Sequence, residues 1–304
     1  MKLSTQGLTF SALAWLVVLA CGWLPPLDLQ TQLLVLAPII FLLGVPHGAL
    51  DIVYARQLAG LQSAAAWGLF TAAYLAAAAA VVLAWWFAPG VFLVAFLLIS
   101  ALHFSGDLQG KTPAAFRVLY GSTVIVCPTL LHAAQVAQLF SLLAGASTAQ
   151  ALVAILQWAA WPVVMAIGVA AVVGAKQNMT RSVELVSVAA LLSAAPPLVG
   201  FTIFFCAMHA ARHVLRTRDY CDAGTLRHLI DIARWPMWAT FAGVACGWWF
   251  SEGVPLDTRL MQLLFVGLAA LTVPHMLLVE PVRFSGWAKG RGTKNAANLR
   301  TTPQ

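Results

Sequence analysis

Five of the seven histidines, His47, His103, His209, His213 and His275, sit close to the ends of four hydrophobic segments. Each of those segments runs toward a loop rich in arginine or lysine, so the five rings fall at one depth in a bilayer. An imidazole inside a membrane is expensive, and a set gathered at one level reads as a functional site. Neutral imidazole is also the commonest side-chain ligand of iron, copper and zinc. The chemistry is therefore that of a buried metal. His209 and His213 are an i, i+4 pair, which projects both rings from one helical face and can grip one ion. Their neighbours Phe204, Phe205, Cys206, Ala207 and Met208 are apolar. His47 and His103 join the pair by shared depth. His275 follows Pro274, and its role stays open between a fifth ligand, a donor behind the ligands and a pocket residue. His132 falls near the opposite face and His228 in a long basic loop, so neither is expected at the site.

A second regularity accompanies the first. Asp51 follows His47 by four residues, and Asp107 follows His103 by four. A carboxylate one turn away could accept the outer N–H of an imidazole, its neighbour's or one across the bundle. That would fix the tautomer and raise the basicity of the other nitrogen. The competing reading is that both aspartates only mark helix ends. Four imidazoles are neutral and leave the ion its full charge. Zinc usually takes four ligands, with three from protein in catalytic sites. Four or more histidines in apolar surroundings suit Fe(II) and oxygen chemistry better, with copper left open. Phe104, Phe204, Phe205, Met208 and Met276 would line a pocket for an apolar substrate. No Ser/His/Asp arrangement or Cys-x-x-Cys pair is present, and four of the five cysteines lie in apolar segments.

The elements that must position these residues are membrane helices. Hydrophobic residues make up 61% of the 304 and charged residues only 9%, against roughly a quarter charged in soluble domains. A helix needs ~20 apolar residues to cross the hydrocarbon core. Ten stretches meet or approach that: 8–24, 31–49, 67–87, 91–107, 116–133, 150–174, 182–195, 198–216, 236–251 and 260–280. The seventh is short and ends at Pro196-Pro197. The stretch 134–146 reads as an interfacial helix on the outer face. With the N-terminus inside, sixteen of the seventeen Lys and Arg residues fall in cytoplasmic segments, Arg259 being the exception. Such asymmetry supports ten crossings (8–10) in one all-α bundle, the metal near the cytoplasmic side and both termini cytoplasmic. Residues 1–282 form one domain, followed by a basic, flexible tail over 283–304. The formal charge of +7 is spread through loops as topology signals would be. That argues against nucleic acid as a partner and leaves anionic lipid facing the loop Arg216 to Arg234.

The pieces Gly44-Val45-Pro46-His47-Gly48-Ala49-Leu50-Asp51, Ala101-Leu102-His103-Phe104 with Asp107, Met208-His209-Ala210-Ala211-Arg212-His213 and Pro274-His275-Met276 occur in this order over residues 44–276. As a set they resemble the Brp/Blh family of membrane β-carotene 15,15′-dioxygenases. The resemblance implies cleavage of β-carotene by O₂ into two molecules of retinal, with non-haem iron held by His47, His103, His209 and His213. It also implies a prokaryotic plasma membrane and a functional link to a retinal-binding microbial rhodopsin. Oligomeric state does not follow. Two rivals stand beside it. A di-iron desaturase or other lipid oxygenase would draw on about twice as many clustered histidines. A metal transporter would show repeated broken helices near the midplane, and a haem-binding subunit would show a Soret band.

Overall fold

A computed structural model of the chain describes residues 3–25, 27–108, 112–221 and 226–284. Among these residues all regular structure is helical. The chain opens with α1 (Leu3–Trp23) and α2 (Leu29–Ile39). Asp28 caps α2 by accepting from the Thr31 N–H at 2.9 Å. Where the apolar run nears His47 the helix changes pitch. It widens into a π-helical turn, Ile40–Gly44, tightens into a 3₁₀ turn, Val45–Leu50, and continues as α3 (Asp51–Ala59). Next come α4 (Ala64–Phe87), capped by Ser63, and α5 (Pro89–Phe104), which ends just past His103. Four helices follow: α6 (Ala114–Val126), α7 (Pro128–Ala144), α8 (Ala146–Ala175) and α9 (Met179–Ala194). Pro196 and Pro197 break the chain, with Ala195 extended as the residue before a proline prefers. From there α10 (Pro197–Ile203) runs through a second π-helical turn, Phe204–Ala210, into α11 (Ala211–Tyr220). The last two helices are α12 (Leu226–Phe250) and α13 (Leu256–Phe284).

Among the described residues six helical runs are long and apolar enough to cross a membrane: Leu3–Trp23, Leu29–Leu58, Ala64–Phe87, Ala146–Ala175, Pro197–Tyr220 and Leu256–Arg283. The bent pair α6 and α7 makes a seventh if counted as one span. Length and apolarity thus support six or seven of the ten expected crossings. Helices α5 and α9 stop at 16 residues each, and α12 carries Arg227, Asp231 and Arg234 in its first half.

The fifth span ends elsewhere than the hydropathy suggested. The helix α7, itself kinked at His132, follows a 46° bend at Cys127-Pro128, inside the expected 116–133 span. Proline has no N–H for the helical ladder, which is why the bend falls there. His132 has non-helical dihedrals within α7, and its Nε2 lies 3.1 Å from the Ala194 carbonyl oxygen. His228 is exposed near the start of α12. Neither joins the other five histidines, as expected. The basic tail expected over 283–304 lies, from residue 285 on, outside the described residues.

Lipid tails are as apolar as leucine, so close packing and internal polar bonds must hold such a bundle together. The main core joins Phe10 and Ala14 of α1, Tyr120 and Val124 of α6, Leu185 and Val188 of α9, and Phe204 and Met208 of the second π-turn. The run Pro197–Tyr220 is the most enclosed of the six spans, with 61% of its window buried, against none for Ala64–Phe87. The helix bearing His209 and His213 is central, and α4 is the most exposed of the six.

Candidate metal centre

The five histidines come together. His47 sits in the 3₁₀ turn, His103 at the end of α5, His209 in the second π-turn, His213 in α11 and His275 after Pro274 in α13, and all five are buried. Their rings form a closed circuit. Centroids stand 4.7 Å apart for His103 and His209, 4.9 Å for His209 and His47, and 5.5 Å for His47 and His213. The circuit closes with 5.1 Å for His213 and His275 and 5.2 Å for His275 and His103. All five pairs meet edge to face.

The nitrogens sort into outward and inward ones. His209 donates its Nδ1–H to the Asp107 carboxylate at 2.9 and 3.1 Å. His275 donates Nδ1–H to Asp51 Oδ1 at 2.6 Å. His47 turns Nδ1 toward the Gly44 carbonyl. Each bond places the ring proton on Nδ1 and makes Nε2 the nitrogen that carries the lone pair. The two aspartates therefore meet imidazoles across the bundle, not the histidines four residues before them. Tyr74 of α4 donates its hydroxyl to Asp51 Oδ2 at 2.9 Å. His213 differs, its Nε2 lying 3.4 Å from the Tyr54 hydroxyl, which in turn meets Thr217 Oγ1 at 2.5 Å.

Two observations show that these residues fit a divalent cation. His275 Nε2 is buried yet has no hydrogen-bond partner, a state native proteins avoid unless something else satisfies the atom. Further, Nε2 of His103 and Nε2 of His209 stand 3.1 Å apart. Two nitrogens each ~2.1 Å from one ion and at right angles would be separated by ~3.0 Å. Donor atoms of His47, His103 and His275 all lie within 4.8 Å of one another. That compact trio includes the histidine whose role the sequence left open.

Behind the circuit lies a polar network that the sequence reading missed. Arg212, fully buried, donates two bonds to Glu184 at 2.6 and 2.8 Å. It gives a third to Gln6 Oε1 at 2.9 Å and a fourth to the Asp107 carbonyl at 2.7 Å. Arg216 donates to the carbonyls of Gly106 and Asp107, both at 2.9 Å. Gln6 Nε2 donates to the Ala207 carbonyl at 2.8 Å, inside the π-turn that carries His209. The available signal was Glu184, an acidic residue within a stretch read as a membrane span.

Of the residues expected to line a substrate pocket, Phe205 stacks on His209 with centroids 5.6 Å apart, and Phe104 meets the same ring edge-on at 5.0 Å. Phe204 and Met208 are packed fully into the core, and Met276 is half-buried. Two cavities, one of about 370 Å³ beside Leu27, Gln135 and Leu198 and one of about 590 Å³ beside Trp85, Leu142 and Thr258, include none of these residues.

Comparison with known proteins accounts for most of the chain. The family described as Beta-carotene 15,15′-dioxygenase matches residues 38–282, a stretch that contains all five histidines and both aspartates. A protein named Beta-carotene 15,15′-dioxygenase from uncultured marine bacterium 66A03 is 28% identical over 255 residues, covering 81% of this chain and 91% of that protein. No solved structure matches. The chain belongs to the β-carotene 15,15′-dioxygenase family.

Proposed function

We propose that this protein cleaves the central 15,15′ double bond of β-carotene with O₂ to give two molecules of retinal, at a non-haem Fe(II) held by His47, His103, His209 and His213. The observation that carries the reading is the circuit of buried imidazoles drawn from separate helices of an apolar bundle. The relative from the marine bacterium bears the name of this reaction. Bound Fe(II) supplies the activation of O₂ toward an alkene, which no side chain here can provide.

The chain's own residues do the rest. Asp107 accepts the hydrogen bond from the Nδ1–H of His209 and so keeps that ring in the tautomer whose Nε2 can bind a cation. Asp51 does the same for His275. The two carboxylates supply two negative charges against a dication in surroundings of low dielectric. Phe104 and Phe205 close over His209 and keep water from it. One O₂ supplies one oxygen atom to each aldehyde, so no reductant is needed. A long apolar substrate dissolves in the bilayer and reaches the site from there. The proposed setting is a prokaryotic plasma membrane with both termini cytoplasmic, where retinal would supply a microbial rhodopsin.

Expression in carotene-producing bacteria tests the reading. Loss of orange colour with retinal in the extract is expected, and anaerobic or chelator-treated membranes should form none. Unchanged carotene in cells with well-expressed protein would overturn the activity. Retinal formation unaffected by His209→Ala and His213→Ala would overturn the site.

A further inference from the structure

We propose that His275 is itself a metal donor of this site, and that Tyr74 and Asp51 form the chain of hydrogen bonds that fixes its donor nitrogen. The inference rests on the metal reading above and adds to the four-histidine set. His275 Nδ1–H is committed to Asp51 Oδ1 at 2.6 Å. The other nitrogen, Nε2, therefore carries the lone pair. That atom is buried and has no hydrogen-bond partner, although the ring is only 2% exposed. A merely structural histidine would spend both nitrogens on protein groups. This one spends one, and its ring stands in the circuit with His213, His103 and His47 5.1, 5.2 and 5.3 Å away by centroid. Its donor atom belongs to the compact trio with His47 and His103.

The carboxylate behind it has a matching arrangement. Asp51 gives one oxygen to His275 and the other to the Tyr74 hydroxyl, at 2.9 Å. Both oxygens are spoken for, so Asp51 orients the ring and does not itself face the ion. Tyr74 arrives from α4, which packs along α13, the helix that carries His275. Asp107 behind His209 is the counterpart on the other side of the circuit. The site thus holds two imidazoles backed by carboxylates, an arrangement typical of metal-ligating histidines.

Purified protein loaded with Fe(II), and separately with Co(II) as a spectroscopic probe, tests the proposal. His275→Ala should weaken Co(II) binding by about 100-fold, alter the ligand-field spectrum, and recover toward wild type on adding free imidazole. Asp51→Asn should weaken binding ~10- to 100-fold with His275 still present, and Tyr74→Phe by a smaller factor in the same direction. His275→Cys gives a readout independent of affinity, because a thiolate bound to Co(II) adds an intense near-ultraviolet charge-transfer band. Wild-type affinity and spectrum in His275→Ala and Asp51→Asn would overturn the proposal. So would a cobalt-loaded His275→Cys protein lacking that band. A wild-type protein that binds neither ion would instead remove the metal site altogether.

Discussion

A carboxylate that accepts the far N–H of an imidazole holds the ring and enriches its other nitrogen. Asp107 does this to His209 from 102 residues away in sequence. Asp107→Asn separates the two effects, because the amide oxygen still accepts the N–H while the charge is gone. Metal affinity should fall about tenfold, toward the low end of the usual range for such groups. Titration of the purified variant with Co(II) checks this, and unchanged affinity would mean that the charge is irrelevant. The five histidines were legible in the sequence because imidazole is rare and costly at membrane depth. The aspartates were legible only as an echo four residues on, and their partners were not. Asp51 is 224 residues from His275. It also follows a 3₁₀ turn, where four residues rotate a side chain ~120° away from the starting face and not ~40° as in an α-helix. Asp107 lies beyond the end of α5, off the helical face that carries His103. In both places local geometry turns the carboxylate from its neighbour, and packing decides what it meets.

At the scale of elements, two π-helical turns shape the site, one ending three residues before His47 and one containing His209. Such turns are rare and occur frequently at functional sites. Their sequences, IFLLG and FFCAMHA, read as plain apolar helix, so periodicity had no means of announcing them. They pack against each other at Gly44, where an added Cβ would run into the Phe205 ring. Gly44→Ala should push that ring off His209 and destabilise the protein by ~1–3 kcal/mol, as overpacking of tight cores does. Thermal unfolding in detergent reads the loss, and an unshifted midpoint would show that the ring moves freely. The second turn is held from outside the family-matched stretch. Gln6 bonds to the Ala207 carbonyl, and Gly7 lets α1 come so close that a Cβ would stand 2.7 Å from Glu184 Oε2. Gln6→Leu keeps the bulk and removes the donor. It should cost ~1–3 kcal/mol for the stranded polar groups and lower Co(II) affinity through His209. Loss of stability with wild-type metal binding would confine Gln6 to a packing role. The breaks at proline were partly legible: Pro196-Pro197 ends α9 as read, whereas Pro128 bends the fifth span earlier than its hydropathy implied.

Across the whole molecule, charge and apolar length give different views of the bundle. Apolar length supports six or seven crossings. The distribution of arginine and lysine argues for ten, because mis-threading any one segment would mix the basic loops with the others. The disagreement lies in α5, α9 and α12, and the last two carry charged residues. Glu184 shortens the apolar run of α9, but it is paired with Arg212 inside the bundle and does not face lipid. A charge neutralised in this way is compatible with a crossing. In α12 the charged residues sit in the first half, and exposed aromatics occur toward both ends, Trp235 and Trp238 beside the charges and Trp249 and Phe250 at the other end. That is what an interface at each end of a span produces, with aromatics at both and basic residues on the inner side. Single cysteines in a cysteine-free background resolve it with a thiol reagent that does not cross membranes. Glu252→Cys and His228→Cys flank α12 and should label from opposite sides, outside and cytoplasmic respectively. Gln177→Cys, before α9, should label from the same side as His228→Cys, since α9 and the run α10–α11 would each cross once. Labelling of 228 and 252 from one side would remove α12 from the crossings. Labelling of 177 and 228 from opposite sides would remove α9 and leave the Arg212–Glu184 pair holding a helix that enters the membrane without traversing it.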